Sequence, residues 1–283
     1  MMLSSIYKKR HRCCDMLSTR RNIIAAAKTS TKRRAILFVQ IALAVVAAAC
    51  IVWLTVKLND YNQAQQVYHE LQKAYADDLG ADFSPDENVN FDELKQQYPD
   101  VVGWLKVDDL DISYPIVQTA DNDHYLNHDA TGAPSIDGAI FLDYRNSSFS
   151  EDLHSLLYGH NMLDGSMFGT LQKYTDEQFY KDGKGTFVIY APTGAYQYEI
   201  FAVQVVDADD EAYTVGYKTA EVYDAFVRNL KEGSMYDTGV ELGNLDHVVT
   251  LSTCTDTDRL IVSGKRIQAV EKSAASADSA ARA

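Results

Sequence analysis

The chain has 283 residues, 46% hydrophobic and 23% charged, which is enough apolar material for a packed core and rules out wholesale disorder. Only 15 glycines and 5 prolines exclude collagen-like and mucin-like classes, and 4 cysteines are too few for a disulfide scaffold. A net charge of −14 argues against a general nucleic-acid binder.

That charge is unevenly spread. Residues 1–34 hold ten basic side chains, from Lys8 to Arg34, against one acid, Asp15, so the remainder is more acidic than the total. An asymmetry of this kind suggests two environments with a membrane between them. Ala35 to Val56 is uncharged, with only Gln40 and Thr55 as polar interruptions. At 1.5 Å per residue a helix of that length crosses a ~30 Å hydrocarbon core. The basic flank before it predicts a cytoplasmic N-terminus and an extracellular C-terminal part. Trp53 sits where an interfacial aromatic belongs. A cleaved signal peptide has a shorter apolar region and a shorter lead. A lipoprotein signal ending at Cys50 is opposed by Ile51, Val52, Trp53 and Leu54, which continue the apolar run. The expectation is a basic cytoplasmic segment over 1–34 and an uncleaved single-pass signal-anchor over 35–56.

Residues 57–89 read as an extracellular stalk helix and linker. Val67, Leu71, Ala74 and Tyr75 have helical spacing, and Ser84-Pro85 marks the linker. Asn90 is placed to cap a short helix, Phe91 to Tyr98, stopped by Pro99. From residue 101 the pattern becomes strand-like. Eight segments rich in Val, Ile, Tyr and Phe are punctuated by Gly, Asp and Asn: 102–105, 112–117, 139–142, 155–158, 186–190, 196–206, 247–254 and 259–267. Helices are predicted at 167–174 and at 220–231, the second with Val222, Phe226, Val227 and Leu230 on one face. Many strands with few helices predict a mainly-β closed barrel or sandwich with helical insertions. Residues 269–283, mostly Ala, Ser and charge, read as a disordered tail.

Cys13 and Cys14 lie in the cytoplasmic lead, where a reduced pair without function is the default, and Cys50 lies in the span. Cys254 alone is outside and has no disulfide partner in its own domain. Free cysteine is often a small core hydrophobe. Here, alternation along Val248–Cys254 puts Thr250, Ser252 and Cys254 on one face, and the strand then runs into the polar Thr255-Asp256-Thr257-Asp258. That context describes an accessible thiol, and catalysis would need a base and an oxyanion donor beside it.

Among the histidines, His69 falls on the stalk helix as a solvated residue. His124 and His128 are four apart but lack the glutamate of the usual zinc helix, so no metal site is expected. His247 is an odd number of residues before Cys254, which puts it on the opposite strand face. His154 carries no signal of its own. His160 ends an apolar strand directly after Gly159, and projects into a cleft or is held in a turn. Arg259 opens the last strand. It reads either as a hairpin-end surface arginine or as a charged donor for an oxyanion.

Together these residues resemble a class B sortase. Thr250-Leu251-Ser252-Thr253-Cys254 is similar to that family's TLxTC nucleophile motif. Tyr158-Gly159-His160-Asn161 resembles its catalytic-histidine segment, and Arg259-Leu260-Ile261-Val262 its catalytic-arginine strand. The stretches 100–105, 114–118, 121–128 and Phe141-Leu142-Asp143-Tyr144-Arg145-Asn146 also read like the class B domain. The similarity covers about 90–268 and keeps the order His, Cys, Arg. It implies an eight-stranded sortase β-barrel, with 220–231 as the helical insertion before the cysteine strand.

The resemblance also implies a Gram-positive cell-surface cysteine transpeptidase that uses no cofactor. Its catalytic residues would be His160, Cys254 and Arg259. Asn122 and Leu126 match positions lining the sorting-signal groove, and Ser252, in the variable position of the motif, is grouped with them. The loop from Thr255 to Asp258 is short for class B, which makes Arg266 the fallback for the arginine. The implied partners are secreted proteins bearing a C-terminal sorting motif, and an acceptor amine of a peptidoglycan precursor or a pilin. Two other readings compete. A cell-wall cysteine peptidase usually sets its nucleophile at a helix N-terminus, and a non-enzymatic surface domain would have an unreactive Cys254.

Overall fold

No glycine or proline occurs before Gly80, and Leu3–Tyr75 forms one helix, α1. The computed structural model describes residues 3–76, 79, 83, 89–183, 185–255 and 257–271, with the backbone alone for 3–35 and 60. Cys13 and Cys14 lie in the backbone-only stretch. Most of the predicted linker and residues 272–283 of the predicted tail lie outside the described residues.

The chain divides into two units, residues 1–59 and 60–283. In the first, α1 from Ile36 onward is long and apolar enough to cross a membrane. Its apolar side chains there, Phe38 and Leu43 among them, are exposed.

In the second unit, the last four turns of α1 are not a free stalk. Ala64, Tyr68 and Leu71 are buried, and Val67 and Tyr75 pack partly against the barrel core. The spacing of 3–4 residues gave the helix and part of its face; Tyr68, whose hydroxyl needs a partner, was not legible as a buried residue. A short helix follows, α2 (Phe91–Gln97). Asn90 caps it by accepting from the Glu93 N–H at 3.3 Å, while the Asn90 amide donates to the Glu93 carboxylate at 3.0 Å.

Eight strands then close a barrel: β1 (Val101–Val107), β2 (Ile112–Val117), β3 (Ile140–Leu142), β4 (His154–Tyr158), β5 (Thr186–Ala191), β6 (Gly194–Val206), β7 (Val248–Cys254) and β8 (Arg259–Glu271). Their order around the barrel is β1-β2-β3-β4-β7-β8-β6-β5. β2 with β3, and β4 with β7, pair in parallel, and the remaining neighbours are antiparallel. β8 continues to Glu271, beyond the expected domain end at 268. Closure leaves no free sheet edge.

Alternation sorts β6, β7 and β8 between two cores. On β7, Val249 and Leu251 point into the barrel, while Val248 joins a second cluster outside it. α4 (Ala220–Glu232), between β6 and β7, covers that outer cluster. Its buried face is Tyr223, Phe226, Val227 and Leu230. The sequence reading had put Val222 there, but Val222 is 54% exposed, because the tyrosine ring one position on turns inward in its place. The helix predicted at 167–174 is a 3-10 helix over Gly169–Thr175, and a short α3 (Glu177–Lys181) follows it.

Candidate active site

Three strand ends meet at one rim of the barrel. β4 runs parallel to β7 with Tyr158 opposite Ser252. Gly159 prolongs this pairing: its N–H donates to the Ser252 carbonyl at 3.1 Å, and its carbonyl accepts from Thr253 Oγ1 at 2.8 Å. His160 is thus one residue past a doubly tied backbone. A Cβ at position 159 would lie 2.5 Å from Ile140 Cδ1 and 2.8 Å from the Phe168 ring, so only glycine lets the chain approach so closely. Nε2 of His160 lies 2.6 Å from the Leu126 carbonyl. A carbonyl only accepts, so Nε2 carries a proton and Nδ1 is the remaining nitrogen. Gly138, at φ +59°, closes in behind the ring, where an added Cβ would be 3.0 Å from His160 Cδ2.

Cys254 and Arg259 are direct cross-strand partners at the end of the β7–β8 hairpin, which sets their Cα atoms about 4.5–5.5 Å apart. The short loop between them makes this possible. Thr255 N–H donates to the Asp258 carbonyl at 3.0 Å and Asp258 N–H to Thr255 Oγ1 at 2.9 Å, closing the turn. Both residues are in phase with Val248 and Ile261, on the outer face of the barrel. Cys254 is exposed.

His160, Cys254 and Arg259 line one cleft of about 310 Å³, together with Asn122, Leu126 and Ser252. The six residues singled out in the sequence therefore face a common space. Arg266 does not line it. Its guanidinium lies 5.4 Å from the Tyr196 ring centroid and donates to the Phe149 carbonyl at 3.4 Å. Ser252 is buried, and its Oγ is 2.8 Å from the Tyr213 hydroxyl.

Six further residues line the cleft, Phe141, Tyr158, Gly159, Thr253, Ala208 and Tyr213, none of which the sequence reading named individually as a site residue. Tyr158 precedes the glycine–histidine pair and was within reach of a motif argument. Ala208 and Tyr213 lie in the connection from β6 to α4; the sequence reading took 207–216 as a pocket-lining loop but could not tell which of its residues turn inward.

Behind the cleft lies a buried carboxylate, Asp143. Arg145 grips it with Nε on Oδ1 and Nη2 on Oδ2, both at 2.8 Å. Asn122 Nδ2 and the Tyr158 hydroxyl each donate to Oδ2 at 2.9 Å. Burial alone would raise the Asp143 pKa, but the hydrogen bonds from Arg145, Asn122 and Tyr158 outweigh it and hold it at about 2. The other end of the Asn122 amide accepts from Tyr144 N–H at 3.0 Å, so this side chain is fixed at both ends.

The remaining histidines sit elsewhere. His154 is buried, with Nδ1 3.0 Å from the Thr214 carbonyl and Nε2 3.0 Å from Thr250 Oγ1. Burial holds it neutral, with a pKa lowered to about 4. His247 is pinned to the Asp152 carbonyl at 2.8 Å. The rings of His124 and His128 stack with centroids 4.2 Å apart. Among the described residues, no group of three or more His, Cys, Asp or Glu could hold a metal ion.

A closed eight-stranded barrel with cysteine, histidine and arginine at one rim defines a class of cysteine enzyme, and comparison with known proteins agrees. A family model for the sortase domain matches residues 105–267. Sortase B of Listeria monocytogenes is 36% identical over 180 residues, covering 62% of this chain and 73% of that protein. Sortase B of Staphylococcus aureus is 28% identical over 214 residues, covering 74% and 84%. The crystal structure of Bacillus anthracis sortase B in complex with AAEK1 superposes with a TM-score of 0.67 at 33% identity, covering 75% of this chain and 99% of that one. The chain belongs to the sortase family, in its class B, and is a cysteine transpeptidase.

Proposed function

We propose that Cys254, His160 and Arg259 carry the transpeptidation, and that Asn122, Leu126 and Ser252 help hold the sorting peptide. The observation that carries this reading is the convergence of the three on one cleft, with thiol and guanidinium paired across a hairpin. The Cys254 thiolate attacks the carbonyl carbon of the scissile threonine in a C-terminal sorting motif of a secreted protein. Arg259 and nearby backbone N–H groups stabilise the tetrahedral oxyanion. As the C–N bond breaks, His160 gives its proton to the leaving amine. A neutral amine of a peptidoglycan precursor or a pilin then attacks the thioester. Its proton passes to His160, the C–S bond breaks, and the thiolate is restored. The chain acts from the outer membrane–water boundary, with residues 35–56 as anchor and the N-terminus in the cytoplasm; the basic residues before the span support that orientation.

The test is incubation of the full chain in detergent with a library of peptides carrying threonine at the scissile position, plus an amine. Wild type forms a thioester at Cys254 and an amide product, and Cys254→Ala forms neither. A fully active Cys254→Ala would overturn the assignment. Arg259→Ala should lose about 10²–10³ in rate, the usual loss of an oxyanion donor. A normal Arg259→Ala beside an inactive Arg266→Ala would move the role to the other arginine.

A further inference from the structure

The Asp143 carboxylate accepts five hydrogen bonds, from Asn122, Tyr158 and the backbone N–H, Nε and Nη2 of Arg145, and the last of these donors reaches further. Besides its bond to the carboxylate, Arg145 Nη2 donates to the backbone carbonyl of Tyr213 at 3.0 Å. Arg145 is not among the residues lining the cleft, whereas Tyr213 is. The Tyr213 ring stacks on Tyr158, with centroids 6.2 Å apart and planes 13° from parallel. Its hydroxyl meets Ser252 Oγ, and the Tyr158 hydroxyl returns to Asp143. The circuit is closed: Asp143 holds Asn122, Tyr158 and Arg145, and Arg145 holds Tyr213.

The geometry has a physical logic. A guanidinium is flat and carries five donors in a fixed fork, so it can satisfy both carboxylate oxygens and still spare an N–H for a third acceptor. Lysine, a single point of charge, cannot do both. Asp143 is fully buried, so its Arg145 partner is held against a dry, immobile anchor, while the arginine side chain itself is 38% exposed. The segment it holds belongs to the connection between β6 and α4. Elsewhere that connection is fixed by the burial of Ala212 in the outer cluster and by His154 and Tyr217 on the Thr214 carbonyl. On the side facing the cleft the backbone tie is Arg145 on the Tyr213 carbonyl, beside the Tyr213 hydroxyl on Ser252.

We propose that Arg145 is a positioning residue for substrate selection: clamped on Asp143, it fixes the Tyr213 segment as one wall of the peptide cleft, while the same carboxylate holds Asn122. This rests on the reading that the cleft takes the sorting peptide. The role is one of placement, since Arg145 reaches the cleft through Tyr213, and it concerns binding more than chemistry.

The experiment compares wild type, Arg145→Gln and Arg145→Lys as full-length chains in detergent micelles. The probe is a fluorogenic threonine-containing peptide selected from the library with wild type. Both variants should raise KM about tenfold or more with kcat within about threefold, the signature of lost binding. Amide hydrogen exchange at Ala212, Tyr213 and Thr214 should become at least about fivefold faster. Alkylation of Cys254 by iodoacetamide, followed by mass spectrometry of its peptide, should keep the wild-type rate. An unchanged KM in Arg145→Gln overturns the proposal. So does a raised KM with unchanged exchange in the 212–214 segment, which would make Arg145 a direct peptide contact. Full rescue by Arg145→Lys overturns it as well, since charge alone would then suffice. Failure of the reading of function shows separately, as absence of peptide cleavage by wild type, while the exchange measurement still judges the clamp.

Discussion

At the position of His160, one missing methyl group decides where an imidazole stands. Gly159 lies between Ile140 and the Phe168 ring with no room for a Cβ, and its amide and carbonyl are both tied to β7. Gly159→Ala is therefore expected to cost about 1–3 kcal/mol through overpacking. It should also displace His160 enough to lower the acylation rate at least about tenfold, since misplacing a reacting group is expensive; urea denaturation and single-turnover thioester formation would report the two losses. Cys254, His160 and Arg259 could be singled out because Cys254 ends β7, Arg259 opens β8 and His160 follows the end of β4 by two residues, so short-range pattern and local position coincide. For Tyr213 only the loop was legible: 207–216 read as pocket-lining, without telling which of its residues face the cleft. Tyr213 comes to the cleft through a carbonyl bond to Arg145 and a hydroxyl contact with Ser252, 39 residues away in sequence. No periodicity encodes such a meeting.

The elements follow the same division. All eight strands were legible, because alternating β-branched and aromatic residues between turn signals describe a surface packed on both faces. β2 was read with its observed bounds, and β6 and β8 proved longer because their ends are paired with each other. Segments whose partner is another element were read less well. Val222 and Tyr223 are adjacent on α4, and helical phase alone did not tell which one meets the barrel. The end of α1 was read as a solvated stalk, since its composition is polar. In the fold, the Tyr68 hydroxyl donates to the Gly138 carbonyl at 2.6 Å and accepts from Ala130 N–H at 3.3 Å, in the wall behind His160. Tyr68→Phe leaves both groups unpaired in a buried place. The expected loss is about 1–3 kcal/mol, measurable by chemical denaturation.

Across the whole molecule, two buried groups give opposing responses to acid. His154 is held neutral by burial with a pKa of about 4, so from about pH 6.5 down to 4 the unfolded chain binds a proton that the native one refuses. Acid therefore lowers stability through His154, by up to ~3 kcal/mol once both states are titrated. Asp137 is raised to about 6, by burial first and by Asp164 second, with His160 opposing. From about pH 6 down to 3.9 the native chain binds the extra proton, and acid raises stability by a similar amount. The two effects oppose each other between about pH 6 and 4. Asp137→Asn should expose the His154 response, with stability falling steeply from pH 6.5 to 4.5. His154→Gln should show the reverse slope. Urea midpoints at the two pH values decide, and parallel slopes in the two variants would contradict the pairing.

The burial of Tyr68 and Leu71 also bears on what happens when the catalytic unit is cut from its apolar helix. A protease cutting α1 shortly after the apolar stretch, near Leu58, would free a catalyst with its supporting helix still docked. A cut some twenty residues later, past Tyr75, would strip away the tyrosine that braces the turn beneath the imidazole. Release from the apolar stretch and inactivation are thus separated by about five turns of one helix.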